Sequence, residues 1–262
     1  MQTDADNVEQ GQDRHPEKRA PLEIVHQDDE LIIVNKPPGM SPEDGPSDEP
    51  SVFEQIRSVA HGASPSPLYP LEASVSGLMV WATTEQSRQS LEAQFLDQRM
   101  TVTYLAVVRA RVIAETGVID LPLRVPGRQE DPVRVDEEVG APAVTHWRLR
   151  DAFVGFALLE CVPRTRIRAQ IRAHLPAAHM PLAVDPLYRG AGELMLSSFK
   201  AGYRKSKRRP ERPLIHRPAL HAASVSLHLP STGEPATFTA ALPKDFRATL
   251  HQLDRFGRLP KS

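Results

Sequence analysis

Cysteine is nearly absent from this chain, with one residue, Cys161, in 262. No intrachain disulfide can form, which excludes a disulfide-stapled fold and points to a reducing compartment. Cys161 lies in the apolar run Phe156-Ala157-Leu158-Leu159-Glu160-Cys161-Val162 and reads as a small buried residue. Aromatic residues are scarce at 5%, so Leu, Val, Ile and Ala must fill the core of a chain that is 40% hydrophobic. No run is long and apolar enough to span a bilayer, and the first twenty residues lack the apolar stretch of a secretory leader. A soluble cytoplasmic protein is expected, without membrane contact. An excess of one charge is missing too. The 32 Lys and Arg against 33 Asp and Glu leave a formal net charge of -1, so there is no global attraction to nucleic acid. No metal-ligand cluster emerges from the ten histidines; His216 and His221 lie too awkwardly spaced to chelate, and one cysteine adds little. There is no glycine-rich phosphate loop and no serine nucleophile elbow. Neither a metal nor a cofactor is expected.

What is abundant is proline, at 25 residues, which argues for turns and sheet edges and against a helical bundle. Residues 1–20 are polar and charged and read as a disordered tail, too short to hold an additional RNA-binding module of the S4 type. A single domain is expected over 21–262. Leu22–His26 and Leu31–Asn35 are β-type runs around the polar turn Gln27-Asp28-Asp29-Glu30, which predicts a hairpin. Ser51 with Glu54 three residues on is a capping-box signature for a helix reaching about Ala60. Strands are expected at 77–83, 101–112, 117–121, 133–135, 142–150, 154–162, 219–229 and 235–241. Helices are expected at 84–96, where Leu91 and Phe95 lie one turn apart, at 166–175 and at 245–256. Strands outnumber helices and short turns join several of them. The pattern describes an α+β domain: a mostly antiparallel mixed sheet, flanking helices and a central cleft.

Positive charge is gathered locally. Arg164, Arg166, Arg168 and Arg172 form one group, with Arg164, Arg168 and Arg172 on one face if the segment is helical. Lys200, Arg204, Lys205, Lys207, Arg208, Arg209 and Arg212, interleaved with Tyr203, make a basic loop at 200–212 suited to phosphate. Such runs are also common as solvated faces.

Four segments carry a resemblance that covers about residues 22–256. The first runs from Leu22 to Met40 and ends in Asn35-Lys36-Pro37-Pro38-Gly39. The second is Tyr69-Pro70-Leu71-Glu72-Ala73-Ser74-Val75-Ser76-Gly77-Leu78-Met79. The third is Arg99-Met100-Thr101-Val102-Thr103-Tyr104-Leu105-Ala106-Val107-Val108. The fourth is Thr165-Arg166-Ile167-Arg168-Ala169-Gln170-Ile171-Arg172-Ala173-His174-Leu175, followed by Val184-Asp185-Pro186-Leu187-Tyr188 and His216-Arg217-Pro218-Ala219-Leu220-His221-Ala222. Together they resemble the RluA-type pseudouridine synthases, which carry N-K-P-x-G, H-R-L-D-x-x-T-S-G-L-L, R-x-V-x-K-x-Y-x-A-x-V and T-G-R-T-H-Q-I-R-x-H-L. The chain departs from that pattern at Tyr69 for His, Pro70 for Arg, Glu72 for Asp, Val102 for Lys, Ile167 for Arg and Ala169 for His.

The resemblance implies an RNA partner, rRNA or tRNA, a monomer, and isomerisation of uridine to pseudouridine without metal or cofactor. In that reaction the glycosidic bond is cleaved, the base turns, and it is rejoined through carbon. Glu72 stands at the nucleophile position and Tyr104 at the active-site tyrosine. Arg166 or Arg168 is the expected guanidinium in place of the one lost at Ile167. A carboxylate nucleophile must stay ionised and aimed, which a guanidinium partner ensures. Glu72 is one methylene longer than Asp, and an ångström of misplacement can cost roughly 100-fold in rate. Three readings follow: a synthase with an altered nucleophile, an inactive RNA-binding pseudoenzyme, or a protein-interaction module that no longer binds RNA. The position of Glu72 and its arginine separates the first two. On spacing alone, Glu72 could equally be a solvated loop carboxylate and Tyr104 a core residue.

Overall fold

The structure is a computed structural model and describes residues 22–45, 49–60, 64–69, 71–110, 114–128, 131–204 and 210–259. The expected tail, 1–20, and four residues of the basic loop, Lys205, Lys207, Arg208 and Arg209, lie outside the described residues.

The hairpin forms as expected, from β1 (Glu23–Gln27) and β2 (Leu31–Lys36). Asp28 shapes its turn by accepting from the backbone N–H groups of Glu30 and Leu31 at 2.8 and 2.7 Å. Helix α1 (Val52–Val59) starts at Ser51 with the capping box complete: Ser51 accepts from the Glu54 N–H and Glu54 accepts from the Ser51 N–H. After the short β3 (Ser66–Pro67) comes β4 (Ser76–Ala82), which is buried throughout. Its unbroken apolar run fits a strand covered on both faces. Helix α2 (Glu85–Leu96), capped by Thr84, buries Leu91 and Phe95 as the one-turn spacing predicts. Then follow β5 (Thr101–Val108), β6 (Thr116–Asp120), the small β7 (Leu123–Arg124) and β8 (Arg134–Val135) pair, and the long β9 (Val144–Phe153) and β10 (Phe156–Pro163). Helix α3 (Gln170–Ala177), β11 (Leu220–His228), β12 (Pro235–Thr239) and α4 (Lys244–Gly257) complete the order, with one-turn helices at Pro186–Tyr188 and Leu196–Ser198.

Among the described residues the main sheet runs β1-β2-β4-β11-β5-β10-β9-β6, with β12 beside β11 and β3 beside β4. This is the expected α+β architecture. Every named pairing is antiparallel except β4 with β11. Insertion of β11 between β4 and β5 brings two distant segments together at the sheet centre. The approach is close: a Cβ at Gly77, whose φ is +117°, would lie 2.2 Å from the Ala222 carbonyl oxygen, so only glycine fits. Next to it, Ser76 Oγ and His221 Nδ1 meet at 3.0 Å in full burial. Burial lowers the His221 pKa to about 4.

One expectation needs correction. The helix predicted from Arg166 begins only at Gln170, because Ala169 adopts a left-handed φ of 54° and breaks the run. Arg164 and Arg168 therefore do not share a helix face with Arg172. The pairing of β7 with β8 went unpredicted, since two-residue strands carry no periodicity.

Candidate active site

Glu72 sits on the turn that leads into β4. Leu71 before it is buried, and the Val75 N–H closes the turn onto the Glu72 carbonyl at 3.0 Å. The Asn35-Lys36-Pro37-Pro38-Gly39 loop clamps this turn from outside. Fully buried Lys36 donates from Nζ to the carbonyls of Pro37, Met40 and Ala73 at 3.1, 3.1 and 2.9 Å. The Gly39 N–H also reaches the Ala73 carbonyl, at 2.7 Å. The residue after Glu72 is thus fixed twice, and an ammonium bound to carbonyls in a dry interior makes strong hydrogen bonds. This is a physical reason for the loop's residue types beyond a rigid proline turn.

The partner of Glu72 comes from α3. Arg172 donates from Nη1 to Glu72 Oε1 at 2.8 Å. Its other edge is taken by Asp185, which accepts from Nε and Nη2 at 2.7 Å each. The guanidinium also lies 4.7 Å from the centroid of the Tyr188 ring. Asp185 is fully buried, Arg172 nearly so, and the Glu72 side chain keeps 22% of its exposure. Burial opposes the charge on Arg172, but the hydrogen bonds to Asp185 and the charges of Glu72 and Asp185 outweigh it and hold the proton more firmly than usual. The arrangement is a fork gripped at one edge by a buried carboxylate and offering the other to a partly exposed one.

Helix α3 can place Arg172 because its faces divide the work. Gln170 and His174, one turn apart, point at β9: Gln170 Nε2 donates to the Val144 carbonyl and Thr145 Oγ1 at 2.8 and 3.0 Å, and His174 Nδ1 lies 2.9 Å from Thr145 Oγ1. Ile171 and Leu175 enter the core. Arg172 is left facing Glu72. Gln170 Oε1 further accepts from Thr165 Oγ1 and the Ile167 N–H at 2.8 and 3.3 Å, securing the non-helical approach.

Glu72, Tyr104, Arg166 and Arg172 line one open-sided recess, with about 510 Å³ of atom-free space counted out to its mouth. Tyr104, on β5 opposite Cys161 and Ala222, is 8% exposed. Burial, reinforced by the Glu72 charge, pushes its phenol above the ordinary range, so it is neutral at physiological pH. Tyr69, at the position of the family histidine, is buried and donates its hydroxyl to the Leu78 carbonyl at 3.0 Å.

The other predicted residues are spread out. Arg166 lines the recess but donates to the Leu68 carbonyl at 2.9 Å and lies 5.3 Å from the Phe95 ring centroid. Arg168 donates to the Asp131 carbonyl at 3.2 Å. The guanidinium in contact with Glu72 is therefore that of Arg172, which sequence spacing had placed in a phosphate-tracking stripe. Arg164 meets Gln98 at 3.0 Å. Lys200 lies 4.2 Å from the Phe256 ring centroid, against α4, and Arg204 is exposed. The roles of Asp185, Tyr188 and Lys36 were not read from sequence, although the segments containing them were matched to family motifs. Cys161 is buried as expected, and burial pushes its thiol up to about 12. Among the described residues, no cluster of three or more His, Cys, Asp or Glu is arranged to hold a metal ion. None of their helices is long and apolar enough to cross a membrane.

The fold and the sequence both have counterparts among known proteins. The RNA pseudouridylate synthase family model matches residues 30–177. The chain belongs to this family. Among its relatives is the ribosomal large subunit pseudouridine synthase D of Xanthomonas campestris pv. campestris, 30% identical over 89% of this chain and 70% of that protein. The uncharacterized RNA pseudouridine synthase YlyB of Bacillus subtilis is 28% identical over 90% of this chain and 74% of its own length. The solved structure of human RNA pseudouridylate synthase domain containing 4 shares the fold. It has a TM-score of 0.65 at 23% identity, covering 91% of this chain and 95% of that one.

Proposed function

We propose that this protein isomerises uridine to pseudouridine in a structured RNA, rRNA or tRNA, with Glu72 as the nucleophile. The observation that carries this reading is the 2.8 Å contact between Glu72 and an Arg172 already anchored by Asp185. A carboxylate in that position is aimed by a guanidinium and lines the recess, which is what attack on the nucleotide requires. Tyr104 forms the recess wall against which an extruded base stacks; such stacking is worth about 1–3 kcal/mol. The extra methylene of Glu72 is compatible with this role because the carboxylate still meets Arg172 within the recess lining. Arg166 stands at the same recess as a further cation for the substrate. Arg164, Lys200, Arg204, Lys205, Lys207, Arg208 and Arg209 are proposed to meet the RNA backbone around it. We place the protein in the cytoplasm, acting as a monomer without metal or cofactor.

A second reading, an RNA-binding protein of the same fold without the reaction, is favoured by one feature. The family's His and Arg ahead of the nucleophile are Tyr69 and Pro70, and Tyr69 spends its hydroxyl on the Leu78 carbonyl. The test is pseudouridine mapping at base resolution in RNA from cells lacking the protein, after incubation with wild type, Glu72→Ala and Glu72→Asp. Product with wild type and none with Glu72→Ala supports the first reading. Product with Glu72→Asp alone assigns the defect to side-chain length. No product with any of them, together with retained RNA binding, establishes the second.

A further inference from the structure

Four recesses of the described surface differ in charge. One beside the β1–β2 turn presents Asp28 and Asp29 and no cation. One over β6 and β9 contains Arg148, whose guanidinium is held by Glu160 at 3.0 Å. The Glu72 recess contains Arg172, committed to two carboxylates. The fourth lies between α3, the strap at 132–135 and the turn at 187–189, with about 940 Å³ of atom-free space out to its mouth. It is lined by Arg134 and Arg189 and by no carboxylate, and neither guanidinium meets a carboxylate among the described residues. Two cations in one groove without a carboxylate partner among the described residues favour an anion.

The groove is also built. Its apolar floor includes Pro176, Ala177 and Leu187, the last 49% exposed. The strap is held at one end by Arg168 on the Asp131 carbonyl. At the next turn the Val133 N–H donates to the Tyr188 hydroxyl at 2.9 Å. Arg189 is held at a left-handed φ of 65°, a conformation costly for a residue with a side chain. The backbone that enforces it belongs to Asp185, whose carbonyl accepts from the N–H groups of Tyr188 and Gly190 at 3.1 and 2.8 Å. Tyr188 is a wall of the groove, and its ring also covers Arg172. The groove and the Glu72 recess therefore share one set of supports.

We propose that this groove is a second nucleotide subsite, taking an unpaired nucleotide of the same RNA strand near the target uridine. Its base rests on the apolar floor and its flanking phosphates on Arg134 and Arg189. The chemistry is that of single-strand recognition, with guanidinium groups for the backbone and an apolar surface for a base. This rests on the RNA reading above and extends it to a site outside the Glu72 recess.

The test is direct binding, with fluorescein-labelled poly(U) and labelled bulk tRNA titrated at several salt concentrations. Arg134→Gln with Arg189→Gln is expected to weaken poly(U) binding by at least about 10-fold and to reduce the salt slope by about 1.4, the value for two single-strand phosphate contacts. Leu187→Ser is expected to weaken binding while leaving the slope unchanged. Arg148→Gln with Arg150→Gln, on β9 where both arginines meet Glu160, is the charge-loss control and keeps wild-type affinity. Unchanged affinity and slope in the groove variants, with wild type binding normally, would overturn the subsite and leave the RNA reading standing. Failure of wild type to bind either RNA at low salt would remove the RNA reading and the subsite with it.

Discussion

The two sides of the Glu72 recess are held by different means. On the α3 side, Arg172 is gripped by buried Asp185, while Gln170 and His174 each bond to β9. On the turn side, Glu72 is held through the backbone: Lys36 and Gly39 grip the Ala73 carbonyl, and the side chains of the turn are not needed for that grip. The difference accounts for the retained residues of α3 itself; the departures at Ile167 and Ala169 lie ahead of the helix and that at Val102 lies on β5. Gln170, Arg172 and His174 each satisfy buried polar partners, and losing one leaves another unpaired in a dry interior. They match the pattern, whereas positions 69, 70 and 72 do not. The turn can exchange its side chains without losing its support, so its altered residues bear on substrate and rate more than on fold.

The largest expected effect lies on the turn side and leaves stability alone. Glu72→Ala is expected to lower pseudouridine formation by about 10³-fold or more, equivalent to roughly 4 kcal/mol of transition-state stabilisation. Its unfolding midpoint should stay close to that of wild type; a large shift would show that the turn depends on its side chain after all. The reverse is expected on the α3 side. Arg172→Leu leaves Asp185 buried without its partner and should cost about 3–5 kcal/mol, read by urea unfolding. A loss under about 1 kcal/mol would mean that the buried pair is not what holds this wall.

Gly77→Ala tests the sheet between the two sides. The added Cβ meets the Ala222 backbone at 2.2 Å and takes a positive φ, so a loss of roughly 2 kcal/mol or more is expected. A further effect is graded by pH. Burial holds the His221 pKa at about 4, below the unfolded value of roughly 6.5. The folded state keeps His221 neutral, so its contribution is complete above that unfolded value. As pH falls from about 6.5 towards 4, the unfolded chain binds the extra proton and stability drops by about 1.4 kcal/mol per pH unit. His174, also held low by burial, acts in the same direction. His221→Gln should flatten this dependence in part, measured by urea unfolding between pH 7 and 4.5.

Much of the fold was legible from local chemistry. Ser51 with Glu54 and the polar turn between β1 and β2 are signals whose physics acts within a few residues, and each forms as read. The start of α3 was not legible. Arg166, Ile167, Arg168 and Ala169 suit a helix, but Gln170 takes the Thr165 hydroxyl and the Ile167 N–H, and Ala169 turns left-handed. Those are local side-chain bonds that compete with the helix and override propensity. The same four-residue error put Arg172 in a surface stripe and hid its pairing with Glu72, a contact 100 residues apart in sequence. Asp185 could not be assigned a role for the same reason: its partner is recognisable only once α3 is placed.

The most direct measurement is tritium release from RNA transcribed with uridine labelled at C5, the carbon through which the base is rejoined. Wild type, Glu72→Gln and Glu72→Asp would be compared on the same substrate. Release by wild type, with none by the neutral but nearly isosteric Glu72→Gln, is the expected result, because the reaction needs the ionised carboxylate that Arg172 holds. Equal release by wild type and Glu72→Gln would contradict it.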